Sequence, residues 1–242
     1  MDVRRTRDGL ELRVDGTLAS LRRPDGGVTG VVWWALAAPI VLLPPHRRRV
    51  LLLGLAGGSV ARAVRALEPQ AEIVGVEHDA EVLRMAREHL GLDELNVEPV
   101  VGDALDFLRH DRRRYDLIVE DLFIGPSRSV RKPDWLLETG YPLFAKRRRP
   151  GGLIVSNTIH EMPGIVRAMR RLGGRVVSLD VRGHWNRIVV SGEGLPAPIQ
   201  MRRALREHAP LQAVLPRLAL KSRGWGAVAG ADPLGSGSVS RL

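Results

Sequence analysis

Apolar and polar positions along this chain switch repeatedly between two periods. Leu10–Val14 alternates with period two, Asp15-Gly16 is a hairpin turn signal, and Thr17–Leu21 continues as a return strand. Val31–Leu43 is an apolar segment, helical in its first half and ended near Pro39. From Arg48 the pattern becomes strand then helix, repeated. The expected strands are Arg48–Leu53, Glu72–Glu77, Val97–Val101, Leu117–Glu120, Gly152–Asn157, Arg175–Asp180 and Trp185–Ser191. Helices are expected over Ser59–Leu67, Ala80–Leu90 (ended at Gly91), Ala104–Arg109, Trp135–Phe144 and Gly164–Leu172, with a Gly-, Pro- and Ser-rich loop over Ile124–Pro133. Strands apolar on both faces and alternating with helices imply an α/β parallel sheet. The last two strands lack an intervening helix, so they are expected to pair as an antiparallel hairpin. Residues 200–221 carry helical periodicity broken by Pro210 and Pro216, and the tail Gly224–Leu242 reads as mobile. The division that follows is 1–46 for the N-terminal β element and helix, 47–195 for the sheet domain and 196–242 for a helical extension and tail.

Composition narrows the chemistry. With 242 residues, 44% of them hydrophobic, the chain can bury a sizeable core. It has no cysteine, which excludes disulfides, thiolate metal sites and Cys nucleophiles. No metal is called for. Neither the N-terminus nor Val31–Leu43 has the length of a membrane span, so the expectation is a cytoplasmic protein with no membrane partner. The net charge of +10 and pI near 11.2 raise nucleic acid as a partner. Of 37 basic residues, however, three are Lys and the rest Arg, with triplets at Arg47–Arg49, Arg112–Arg114 and Arg147–Arg149. Each triplet lies at the start of a strand, away from the sheet edge where ligands bind, and reads as a solvated surface.

Candidate chemistry collects at the opposite ends of the strands. Gly54, Ala56, Gly57 and Gly58 form a strand-to-helix turn that lets a ligand approach backbone, although Ala56 and Ser59 depart from the full dinucleotide fingerprint. Glu77 ends the second strand, where a carboxylate accepts hydrogen bonds from ribose hydroxyls; His78 belongs to the same cradle and is not read as a base. Asp103 and Ala104 follow the third strand, placed to meet an adenine amine and ring nitrogen, or else Asp103 caps the next helix. Glu120 and Asp121 end the fourth. Successive strand residues alternate faces, so one of the two meets a ligand, and Asp121, which begins the loop, is the better choice. It can bind a cofactor amine or take a proton from an attacking group, or else pair with Arg128 or Arg131. Asn157, Thr158, His160 and Glu161 stand at the same edge, and Trp33 and Trp34 read as core or lid.

Val76-Glu77-His78-Asp79-Ala80-Glu81-Val82, Val101-Gly102-Asp103-Ala104 with Phe107-Leu108, and Tyr115-Asp116-Leu117-Ile118-Val119 together resemble the spermidine synthase-like branch of the class I S-adenosylmethionine-dependent methyltransferase superfamily. The resemblance implies a Rossmann-like, mostly parallel seven-stranded sheet with its last strand antiparallel, preceded by a short β-hairpin that would suit a homodimer. It implies S-adenosylmethionine or its decarboxylated form as cofactor, held by Glu77 and Asp103, with Asp121 activating the acceptor. Two acids of the family pattern are missing, in the turn Gly54–Ser59 and in the loop after Asp121, where Ile124 stands. A basic chain lacking those acids is poorly suited to a polycation. The expectation is therefore a methyltransferase acting on an unknown small-molecule or peptide acceptor, with aminopropyl transfer to a polyamine and a non-catalytic cofactor-binding module as alternatives, and an NAD(P)-dependent reductase and nucleic-acid methylation disfavoured.

Overall fold

The computed structural model describes residues 1–27, 30–46, 48–126 and 129–224. The expected tail beyond Gly224, Arg47 of the first triplet and Arg128 lie outside them. Strands β1 (Asp2–Thr6), β2 (Gly9–Val14) and β3 (Thr17–Arg22) form a small antiparallel sheet. The hairpin is where the alternation puts it. The strand β1 ahead of it was not expected, because DVRRT carries one apolar residue among charged ones and shows no period-two pattern. It is an edge strand recruited by pairing with β2, from Asp2 against Arg13 to Thr6 against Gly9.

Helix α1 (Val31–Ala37) passes into a 3-10 turn over Ala38–Leu42, where Pro39 sits among the first residues and interrupts regular helix. The main sheet contains β4 (Arg49–Leu53), β5 (Glu72–Glu77), β6 (Val97–Val101), β7 (Tyr115–Glu120), β8 (Arg148–Thr158), β9 (Arg175–Val181), β10 (Arg187–Gly192) and β11 (Leu218–Ser222). Its order is β11-β9-β10-β8-β7-β4-β5-β6. The block β8-β7-β4-β5-β6 is parallel, and β10 runs antiparallel to both β8 and β9. The seven expected strands are present and an eighth extends the sheet. β11 pairs antiparallel with β9 and covers an edge that the seven-stranded arrangement leaves open. Its sequence LALKS alternates over too few residues to stand out beside the helical periodicity before it. The opposite edge strand, β6, tolerates Pro99.

Helices α2 (Ser59–Leu67), α3 (Ala80–Leu90), α4 (Ala104–His110), α5 (Tyr141–Arg147) and α6 (Met162–Arg171) cover the two faces, and α7 (Pro198–Arg206) and α8 (Ala209–Gln212) lead into β11. One core layer joins α1 and α2 to Leu52, Leu117, Val119 and Val155. The other joins α4, α5 and α6 to Leu51, Leu53, Ile118 and Ile154. Alternate residues of each central strand therefore serve opposite layers, which is why the strands read as continuous apolar runs. Trp33 is buried in the first layer, and a Cβ on Gly30 would come within 2.6 Å of its ring. It is core and not a lid. Among the described residues no helix is long and apolar enough to cross a membrane.

Candidate active site

The sequence-predicted residues form one row along the C-terminal edge of β7, β4, β5 and β6. Asp121 donates its backbone N–H to the Leu53 carbonyl at 2.9 Å, Gly54 and Leu55 both donate to the Val76 carbonyl at 3.0 Å, and Gly102 donates to the Glu77 carbonyl at 2.9 Å. Each strand end is thus tied to its neighbour.

The glycines of the turn are required for different reasons. Gly54 has φ of +87°, and a Cβ there would come 2.7 Å from the Asp121 carbonyl oxygen, so it permits the close approach of β4 and β7 at the centre of the edge. Gly57 is demanded by packing. A Cβ there would lie 2.6 Å from the Ser20 Cβ, and its N–H donates to Ser20 Oγ at 2.8 Å. That N–H belongs to the N-terminal sheet and is not offered to a ligand. Ser59 fixes the same contact by accepting from the Leu21 N–H at 3.0 Å. Gly58 (φ +85°) faces Leu92 and Leu95. Ala56 holds a positive φ of 46° and donates its N–H to Glu77 Oε2 at 2.8 Å.

Glu77 Oε1 accepts from the Asp79 N–H at 3.2 Å, so one carboxylate braces both the turn and the start of α3 while keeping further lone pairs for ribose-like hydroxyls. His78 is exposed. Asp103 does cap α4: Oδ1 accepts from Leu105 and Asp106 N–H groups at 2.8 and 3.0 Å. Both bonds fall on one oxygen, which leaves Oδ2 open at the edge, so the capping and ligand roles are compatible. Ala104 is buried behind it.

At the end of β7 the two acids part as their alternation requires. Glu120 is fully buried and turned into the layer below. Its Oε1 accepts from Lys132 Nζ at 2.7 Å and from the Leu122 N–H at 2.8 Å, while Oε2 has no hydrogen-bond partner among the described residues. Lys132 also donates to the Leu122 carbonyl at 2.9 Å and stacks over Phe123 at 3.8 Å. Asp121 is half-buried and faces the edge. Its Oδ1 accepts from Asn157 Nδ2 at 2.8 Å, and Asn157 Oδ1 accepts from Asn186 at 3.0 Å. Burial pushes the Asp121 carboxyl up to about 6, against the opposing pull of Lys132 and the Asn157 hydrogen bond. Arg131, an expected partner, pairs with Asp134 at 2.7 Å instead.

Sequence reasoning did not find Lys132 or Asn186. Lys132 did leave a signal, as one of three Lys in a chain that otherwise uses Arg. Asn186 left none, because it reaches the site from the β9–β10 turn only when the sheet is assembled. Thr158 turns to the Arg187 carbonyl, and Glu161 folds back onto the Ile159 and His160 N–H groups.

No family model matches the chain. Polyamine aminopropyltransferase 2 of Caldanaerobacter subterraneus subsp. tengcongensis is 29% identical over 134 residues, 52% of this chain and 44% of that protein. A polyamine aminopropyltransferase of Synechococcus sp. is 40% identical over 81 residues, 31% of this chain and 26% of its own. The matched stretches thus span less than half the length of these curated relatives. Among solved structures, a probable spermidine synthase from Corynebacterium glutamicum superposes with a TM-score of 0.73 at 18% identity, covering 99% of this chain and 95% of that one. Human methyltransferase-like protein 13 in complex with SAH gives 0.65 at 21% identity, covering 83% and 97%. The fold is the Rossmann-like class I methyltransferase fold. Within it, the resemblance to the spermidine synthase-like branch holds in both sequence and architecture.

These relatives overturn the expectation of methyl transfer. The curated matches bear aminopropyltransferase names, and spermidine synthases recur among the structural neighbours. The argument against that chemistry rested on two missing acids and on the basic composition, and the structure weakens the second of these. Four described members of the Arg triplets pair with acids away from Asp121: Arg49 with Glu72, Arg113 with Glu98 and Asp111, Arg148 with Glu193, and Arg149 with Asp116. Net charge therefore does not report the field at the site.

Proposed function

We propose that this protein transfers an aminopropyl group from decarboxylated S-adenosylmethionine to an amine acceptor, with Asp121 as general base. The observation that carries the reading is the half-buried Asp121 carboxyl, whose Oδ1 is held by Asn157 while Oδ2 is open at the centre of the edge. The names of the curated relatives support the reaction class.

The residues present fit such a donor. Glu77 has lone pairs left for ribose hydroxyls, Asp103 Oδ2 is open toward an adenine amine, and Gly54 keeps the middle of the edge free of side chain. The donor supplies an electrophilic carbon on its sulfonium and departs as methylthioadenosine. The chain's own part is to place the acceptor nitrogen in line with that carbon and to receive the proton that the nitrogen sheds as the C–N bond forms and the C–S bond breaks. Asp121 Oδ2 receives it, and Asn157 and Asn186 hold the carboxylate in orientation. A general base must be ionised, so activity rises with pH through about 6 and levels off above.

The test is methylthioadenosine release from decarboxylated S-adenosylmethionine with a series of amines. Turnover in the native chain and its loss in Asp121→Asn is the expected result. S-adenosylhomocysteine formed from S-adenosylmethionine, with no methylthioadenosine from any amine, would overturn the proposal.

A further inference from the structure

The strand β3 breaks its regular pairing where it meets the site. Thr17 pairs with Val14 and Leu18 with Arg13, but the next pair is Ser20 with Leu12, so Ala19 is an extra residue and forms a bulge. The bulge puts Ser20, and not Ala19, opposite the fully buried Leu12, and residues paired across two strands share a face. Leu12 packs on Val82 and Leu90 of α3, with Ala56 of the glycine turn against the same cluster. A hydroxyl in such surroundings is disfavoured unless it is bonded. Ser20 is 1% exposed, and its Oγ accepts the Gly57 N–H at 2.8 Å.

What this bond holds is a strained turn. Ala56 has φ of +46°, a conformation that is costly for a residue with a side chain and persists only where its surroundings enforce it. In that conformation the Ala56 N–H reaches Glu77 Oε2 at 2.8 Å. The Ala56 N–H and the Gly57 N–H lie on the two rigid peptide planes that flank the Ala56 Cα. One plane is tied to the acid at the end of β5 and the other to Ser20, so the two bonds together fix φ and ψ of Ala56.

We propose that Ser20 is a positioning residue of the donor site. By holding the Gly57 amide it keeps Ala56 in the left-handed region and the Ala56 N–H on Glu77, and so it orients the carboxylate that meets the donor's ribose. The proposal rests on that placement of the donor at Glu77 and deepens it: the small N-terminal sheet clamps the donor half of the site through one buried hydroxyl. Ser20 is shut off from solvent and acts through the turn, so its loss weakens donor binding and leaves the chemical step at Asp121 alone. Linkage requires the converse, that a ligand on Glu77 tightens the seat of β3 on the turn.

The experiment is calorimetry of the full chain with methylthioadenosine, joined to steady-state release of methylthioadenosine from the decarboxylated donor and 1,4-diaminobutane. In Ser20→Ala, Kd for methylthioadenosine and KM for the donor are expected to rise about fivefold or more, with kcat and the amine KM within about twofold of native. Arg22→Ala breaks the exposed pair of the same strand with Glu94 without touching the turn, and is expected to keep native donor affinity. Should Ser20→Ala fail to fold, amide exchange in the native chain decides: methylthioadenosine is expected to slow β3 about fivefold more than β11, at the far edge of the main sheet. A folded Ser20→Ala with native donor affinity overturns the proposal, as does a loss confined to kcat, an equal loss of affinity in Arg22→Ala, or exchange in β3 slowed no more than in β11. A native chain that does not bind methylthioadenosine overturns it together with the donor site. If the ligand binds and Ser20→Ala weakens it as expected, but no amine is converted, the transferase reading fails while the role of Ser20 stands.

Discussion

The two edges of the main sheet are built from the same strands yet treat charge in opposite ways. At the N-terminal edge, a shallow groove is lined by Arg49, Glu72, Asn96, Glu98 and Arg113, and its acids and bases meet as exposed pairs: Arg49 with Glu72 at 2.7 Å, Arg113 with Glu98 at 2.8 Å. At the C-terminal edge, carboxylates are met mostly by backbone N–H groups: Glu77 by Ala56 and Asp79, Asp103 by Leu105 and Asp106, Glu120 by Leu122. Parallel strands impose this asymmetry. Each ends where a helix or loop begins, and the free N–H groups there face acids. Abundant charge marks the edge that is neutralised; scarce, incompletely satisfied charge marks the edge proposed to react.

Substitutions at the two edges should therefore differ in scale as well as in kind. The largest effect is expected at Asp121. Asp121→Asn keeps an acceptor for Asn157 and removes the base, lowering kcat by about 10²- to 10⁴-fold with the fold intact, as methylthioadenosine release and thermal unfolding would show together. The rise of activity through about pH 6 should vanish in the residual rate. A profile unchanged from the native one would remove Asp121 from the chemistry.

The pH sign for stability is opposite. Because folding raises the Asp121 pKa from 3.8 to about 6, the folded state binds the proton more tightly, and this group's contribution to stability declines as pH rises from about 4 to 6. Denaturant titrations of the native chain and Asp121→Asn across that window should diverge in this direction.

Next in size is the buried pair. Glu120→Ala strands the Lys132 ammonium and should cost about 3–5 kcal/mol in urea unfolding. Replacing both residues by Gln and Met should recover most of that loss; additive losses would show that the two do not act as a pair.

Gly57→Ala is expected to cost about 1–3 kcal/mol through overpacking against Ser20 and Leu90. It should loosen the N-terminal sheet in hydrogen exchange before it affects catalysis. The smallest effect belongs to the other edge. Arg49→Ala, at a pair with the exposed Glu72, should change stability by no more than about 1 kcal/mol and leave turnover unchanged. A large loss of activity there would undo the contrast between the edges.

Much of the scaffold was legible in sequence because its signals are local. The bounds of α2, α3, β5 and β6 follow from apolar runs bracketed by Gly58, Gly91 and the capping Asp79. The site row was legible for the same reason, since residues at strand ends share an edge whatever the connections between them. What was missed depends on partners far along the chain. β1 is a strand because β2 pairs with it, and β11 because β9 leaves an edge. Gly57, read as a ligand cradle, is spoken for by Ser20, 37 residues earlier.

The sequence by itself determined the alternating scaffold, its parallel core, and the order glycine turn, Glu77, Asp103, Asp121 along one edge. These follow from periodicity and from residues that act on their immediate neighbours. The tertiary structure alone decided which acid faces the edge, because Glu120 is claimed from twelve residues away by Lys132 and Asp121 is oriented through Asn157 by Asn186. It alone also separated the basic composition from the site. Charge acts through distance and solvent, and only the folded chain sets either one.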